Sequence, residues 1–291
     1  MFVYRLCMFR SLAIVFATLT FAGCFNRFSM TDKELKKYYK DKPQPSYFTL
    51  RNDSVSLFCA TAGADTLPPL LMIHGAPGAW YGSRNFLSDT SLQQRYHIIA
   101  VDRPGYNKSL YKNQRKAVTS ITTQAIAIHE ALQLNHSGKT GVVLGSSYGA
   151  PIAAKMAALY PEAFHHLVML APAIDPQKEK FWWFHPLVRR GPVRWFLPRF
   201  INHATDEKFA HKAELDHMLP DWAKINIPVT VVQGASDNIV NPANLDFAKK
   251  MLQGKQAEFI LLPNTGHLIR FEKPEIVKAI LLKQATAANI H

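Results

Sequence analysis

Cysteine is scarce in this chain of 291 residues: Cys7, Cys24 and Cys59 are the only three, too few for a disulfide scaffold. Glycine (14) and proline (18) are likewise too sparse for a collagen-like or low-complexity chain. Acidic residues are outnumbered, 21 against 34 Lys and Arg, giving a formal charge of +13. Long apolar runs are missing too. Past residue 25 none approaches the ~20 residues that a helix needs to cross a bilayer, which excludes a polytopic membrane protein. What is present is 48% hydrophobic residues and 19% charged ones, enough for one sizeable core with an insertion.

The basic surplus points to no nucleic-acid module. The basic residues are scattered, with one local excess in which Lys178, Lys180, Arg189, Arg190, Arg194 and Arg199 face only Glu179. No zinc-finger, RNP-type or basic-zipper pattern accompanies them, so nucleic acid is not an expected partner.

Arg5 and Arg10 precede the apolar stretch Ser11 to Ala22, the length of a secretory h-region and well short of a span. Its end, Phe21-Ala22-Gly23-Cys24, resembles the lipobox of bacterial lipoproteins, with Phe21 where that pattern usually has Leu. The resemblance implies a signal peptide over 1–23, lipidation of Cys24 and a lipid anchor in the cell envelope. Phe25 rather than Asp after the cysteine favours the outer membrane where the host has one. Ordinary secretion or an uncleaved anchor are the alternatives. Cys59 is then left without a partner, and its alternation with Val55 and Leu57 predicts a buried small hydrophobe.

The polar, Lys-rich segment 24–46 reads as a tether with a turn or two of helix, and 47–291 as the domain. Tyr47 to Leu50 and Ser54 to Ala60 flank Asn52-Asp53, which predicts a hairpin. Beyond it, continuous apolar runs recur at Leu70 to Ile73, Ile98 to Val101, Val142 to Leu144, Leu167 to Leu170, Val229 to Val232 and Phe259 to Leu262. Such runs predict strands covered on both faces, hence a mostly parallel α/β sheet. Ser120 to Leu134, Pro242 to Leu252 and Glu275 to Leu282 carry helical spacing between them. Residues 174–227 have no strand signal and predict a helical insertion. Its aromatics, Phe181-Trp182-Trp183-Phe184 and Trp195-Phe196, fit either the insertion's own core, an acyl pocket or a lipid contact, and Arg189, Arg190, Arg194 and Arg199 either a solvated face or an anionic membrane surface.

The chemistry gathers where strands end. Val142 to Leu144 runs into Gly145-Ser146-Ser147-Tyr148-Gly149 and then a helix, so GxSxG stands at the strand-turn-helix position that it requires. Small residues at Gly145 and Gly149 relieve the crowding of a sharp turn and hold Ser147 above a helix N-terminus. His74-Gly75-Ala76-Pro77-Gly78 follows the first parallel strand, where a backbone N–H can complete an oxyanion hole. Asp237 follows the strand Val229 to Val232 and His267 the strand Phe259 to Leu262, so Ser, Asp and His fall on loops at one sheet edge. The remaining histidines lack the paired spacing of a zinc site, and no phosphate-loop Lys-Ser/Thr follows Gly78, so neither metal nor cofactor is expected.

From Tyr47 to Leu282 these motifs resemble the α/β-hydrolase family, with Asp102-Arg103-Pro104-Gly105-Tyr106 similar to its turn after the second parallel strand; Asn107 replaces a frequent further glycine. The resemblance implies Ser147 as nucleophile, His267 as base, Asp237 as its orienter, and the N–H groups of Ala76 and Tyr148 as oxyanion donors. Asp175 is the competing acid. Asp102 is expected to hold its turn, and His74 to pack beneath the oxyanion loop. Ser147 stands where dehalogenases and epoxide hydrolases carry Asp, which argues against both. The activity implied is hydrolysis of esters or thioesters with an apolar part. HGAPG is also similar to the motif of proline iminopeptidases, for which Glu207 or Glu214 would grip a free amine. A non-catalytic binding lipoprotein of the same fold is the third reading.

Overall fold

The computed structural model of the protein describes residues 29–287, apart from 182 and 184. Cys24, the apolar stretch before it, Trp182 and Phe184 therefore lie outside the described residues. The chain divides into two units, Met1–Asp41 and Lys42–His291. In the first, Asp32–Tyr38 is helical, and its start is explained by a reciprocal cap: Thr31 accepts from Glu34 N–H while the Glu34 carboxylate accepts from Thr31 N–H. No helix among the described residues is long and apolar enough to cross a membrane.

The second unit is built on a nine-stranded sheet among the described residues. The opening hairpin pairs β1 (Ser46–Arg51) with β2 (Val55–Ala62), and its turn closes as Asn52 Oδ1 accepts from Ser54 and Val55 N–H at 2.9 and 2.8 Å. The strands β3 (Pro69–Ile73), β4 (His97–Val101), β6 (Gly141–Ser146), β7 (Phe164–Leu170), β8 (Val229–Gly234) and β9 (Ala257–Leu262) run parallel, and β5 (Leu110–Tyr111) pairs with β2. The order β1-β2-β4-β3-β6-β7-β8-β9 places β3 and β6 at the centre. Their Leu, Ile, Met and Val side chains are fully buried, as continuous apolar runs require.

Helices cover the faces: the crossovers α1 (Ile121–His129, capped by Ser120), α2 (Gly149–Leu159) and α4 (Asn244–Met251), and α5 (Pro274–Ala287) after the last strand, with α3 (Arg199–Met218) in the insertion between β7 and β8. α2 is buried along every residue from Gly149 to Ala158, because Ala and Gly let it lie close on the sheet. Two expectations need correction. β9 is not covered on both faces, since it closes the sheet as an edge strand with Leu261 52% exposed. Sequence patterning also passed over β5 and the short helical turns from Trp80 to Gln93. Pieces of two to four residues carry no period; tertiary contacts such as Trp80 N–H to Asp102 Oδ1 (2.9 Å) hold them. Cys59 is fully buried on β2, and burial pushes its thiol far above the usual range, with Asp102 adding to it.

Candidate active site

The loops that leave the C-terminal ends of β3, β4, β6, β8 and β9 carry His74, Asp102, Ser147, Asp237 and His267 to one edge of the sheet. Ser147 takes φ +53°, a left-handed conformation costly for a residue with Cβ. Its N–H donates to Leu170 O at 2.9 Å and its carbonyl accepts from Ala150 N–H at 3.0 Å, so the turn is tied on both sides. Glycine is required around it: a Cβ on Gly145 would sit 2.3 Å from Gly149 O, and one on Gly149 2.5 Å from Ile73 O. The 74–78 loop also comes close, since a Cβ on Gly75 would lie 3.0 Å from Ser147 Cβ. Among the described residues neither Tyr148 N–H nor Ala76 N–H donates to a protein acceptor, so both remain available beside the serine.

His267 Nδ1 and Asp237 Oδ2 are 2.7 Å apart. Asp237 is itself fixed: Oδ1 accepts from Ile239 and Val240 N–H, both at 2.9 Å, and Oδ2 also accepts from Gln233 Nε2 at 3.1 Å. Burial pushes the Asp237 carboxyl up, but the bond to His267 and these donors outweigh it and leave it below the usual range, hence ionised. Glu272 accepts from Gly266 N–H at 2.8 Å and so braces the loop that carries His267. No hydrogen bond joins Ser147 Oγ to His267 Nε2, a contact that often tightens only when substrate is bound.

The other candidates separate cleanly. Asp175 caps its own turn, accepting from Gln177 N–H at 2.8 Å, and makes no bond to His267. Asp102 accepts from Trp80 N–H, Asn107 Nδ2 and Lys108 N–H; burial pushes its carboxyl up to about 7 against these donors. His74 is buried under the loop, with Nε2 accepting from Arg103 N–H at 3.0 Å. Burial and the Arg103 charge hold it well below the usual histidine range, hence neutral.

A buried network that sequence reading passed over links this edge to the insertion. Arg103 binds both Glu207 oxygens, at 2.5 and 3.0 Å, with both side chains fully buried. Tyr106 donates to Glu207 at 2.6 Å, Gln124 joins Arg103 and Glu207, and Arg103 donates to Gly75 O at 3.1 Å. The guanidinium lies over the Tyr106 and Tyr148 rings, and Tyr148 meets His211 of α3 at 4.5 Å. Burial works against the Arg103 charge, but Glu207 beside it keeps the guanidinium protonated. The available signal was Arg103 in the turn after β4 and a Glu on a helix whose other buried positions include His203, Thr205 and His211. Gln233 had a plainer one, as a polar residue inside an apolar strand. Glu207 is thus engaged, and Glu214 accepts from Ile121 N–H at 2.8 Å. Of the two expected amine-gripping carboxylates, Glu207 is wholly taken up by this network.

Among the described residues no group of acidic, His and Cys side chains is arranged to hold a metal ion. The sequence model of the alpha/beta hydrolase family matches residues 70–280, which spans the whole edge just described. The chain is 25% identical over 237 residues to Lipase 3 of Moraxella sp. (strain TA144), covering 69% of this chain and 71% of that protein. It is 22% identical to 3-oxoadipate enol-lactonase 2 of Acinetobacter baylyi (strain ATCC 33305 / BD413 / ADP1), covering 78% and 92%. The fold is shared with a solved membrane phospholipase A that is described as a bacterial virulence factor, at TM-score 0.65 and 20% identity over 98% of this chain and 99% of that one. The chain belongs to the alpha/beta hydrolase family and is a hydrolase of that type.

Proposed function

We propose that the protein is a serine hydrolase that cleaves carboxylic esters or thioesters with an apolar part through an acyl-enzyme on Ser147. The observation that carries this is the 2.7 Å bond between His267 and a buried, ionised Asp237 on the edge where Ser147 is held at positive φ beside two uncommitted N–H groups. That relatives are named as lipases and an enol-lactonase supports the substrate class.

Ser147 Oγ attacks the carbonyl carbon, its proton passes to His267 Nε2, and the carbonyl electron pair moves onto oxygen. The N–H groups of Tyr148 and Ala76 stabilise that oxyanion; losing one such donor costs about 3–4 kcal/mol of barrier. Collapse expels the alcohol or thiol, which takes the proton from His267. Water then repeats the sequence on the acyl carbon and frees Ser147. Asp237 keeps the imidazole oriented with Nε2 open to accept. A fluorophosphonate probe should label Ser147, and Ser147→Ala should abolish both labelling and ester turnover. Equal labelling of both proteins would refute the nucleophile, and an unreactive wild type would return the binding-protein reading. The aminopeptidase reading is disfavoured by the engagement of Glu207.

For localisation we propose lipid anchoring through Cys24, supported by the small residues Ala22 and Gly23 before it. Cys24→Ser expressed in a bacterial host should lose labelled palmitate, and retained label would rule the anchor out.

A further inference from the structure

The insertion turns its most apolar residues outward. Trp195 is 84% exposed and Phe196 88%, values that exclude the reading of these two as the insertion's own core. Trp183 is 81% exposed and Phe181 50%, with Leu187 and Val193 also on the surface. Monomeric proteins rarely leave such a cluster uncovered without a use for it. The same stretch, Lys180 to Phe200, contains Lys180, Arg189, Arg190, Arg194 and Arg199 and no acidic residue at all.

Its presentation is built. Helix Gly191–Phe196 is clamped to α3 by Arg194, whose guanidinium donates to both oxygens of Asp206 at 2.6 and 2.9 Å, and by Asn202 Nδ2 donating to Arg194 O at 3.0 Å. Arg189 lies over the Phe209 ring of α3 at 4.7 Å. With Arg194 used in the clamp, Trp195 and Phe196 are held outward, while Arg189 and Arg190 stay exposed beside them. Exposed Trp and Phe beside uncompensated arginines is the composition that partitions into an anionic lipid interface, aromatic rings at headgroup depth and guanidinium groups on phosphate.

We propose that this face docks the protein on an anionic membrane surface, with Trp195 and Phe196 inserting and Arg189 and Arg190 binding lipid phosphates. The docking is independent of the chemistry at Ser147 and of any lipid on Cys24. It would face lipid with the same α3 that carries Glu207 and His211 against Arg103 and Tyr148, bringing the site to where apolar esters concentrate.

Tryptophan fluorescence reads this face: among the described residues Trp80 and Trp222 are buried, Trp183 and Trp195 are exposed on the insertion, and the first 46 residues contain no Trp. The full chain, made by cell-free translation without membranes, is mixed with vesicles of brominated phosphatidylglycerol or brominated phosphatidylcholine. Strong quenching is expected on the anionic vesicles and about fivefold less on the neutral ones. Phe196→Ser and the double variant Arg189→Glu/Arg190→Glu should each lower quenching at least about fivefold. Both should keep wild-type turnover of a water-soluble ester, which shows that they fold. Three outcomes would overturn the proposal: vesicle-bound chain without quenching, equal quenching on both lipids, or variants that quench like wild type. A lipid-free dimer that shields Trp195 and is broken by Phe196→Ser would assign the face to a second copy instead.

Discussion

The sheet edge and the insertion are stabilised by opposite means. Along β3, β6 and β7 the interior is Leu, Val, Ile and Met at essentially zero exposure, and Ser147 is positioned by backbone contacts through glycines. The insertion reaches the same edge through an ion pair, Glu207 on Arg103, and is itself tied together by Glu179 on His211 and Lys208. Apolar packing is forgiving of exchange between similar side chains, whereas a buried ion depends on one partner. The edge should therefore fail through chemistry, and the insertion through loss of a charge.

The sharpest break of this comparison lies on the edge itself. Asp237→Asn should lower kcat about 10⁴-fold, because the imidazole then takes the wrong tautomer, while leaving the melting temperature nearly unchanged. Asp175→Asn should leave kcat within a few-fold, since that carboxylate only caps its own turn. Steady-state kinetics on one ester decides between the two acids, and the reverse result would reassign the acid.

A smaller effect is expected where insertion and edge meet. Glu207→Leu leaves Arg103 buried without its counter-charge and should cost about 3–5 kcal/mol in denaturant unfolding. Removing both partners, Arg103→Met with Glu207→Leu, should cost less than either single change. A double variant as unstable as the sum of the singles would show that the two residues do not act as a pair.

The smallest effect concerns acid. Burial raises the Glu179 carboxyl, but the bonds and charges of His211 and Lys208 outweigh it and bring it down to about 2 from an ordinary 4.5. A depressed folded-state value means that the unfolded chain takes up the proton first. The stabilisation is thus full above about pH 4.5 and lost as pH falls toward about 2. Glu179→Gln should flatten the acid side of the stability curve, and an unchanged curve would remove Glu179 from the account.

What the sequence determines by itself about this protein is the sheet and the edge that carries Ser147, Asp237 and His267. Those features rest on local demands: continuous apolar runs for doubly covered strands, glycines two places either side of a left-handed serine, and polar residues at strand ends. Each demand is met by neighbours in the chain, so it leaves a pattern that can be read along it. Tertiary structure alone decided the rest. That His267 pairs with Asp237 and not Asp175, that Glu207 neutralises Arg103 from 104 residues away, and that Trp195 and Phe196 point outward are facts about which segments meet. A buried Glu on a helix and an exposed Trp on another break the usual periodic signal, because their burial is set by a partner across space. The physical reason is the range of the forces involved: backbone sterics act over a few residues, while charge pairing and surface exposure depend on the completed packing.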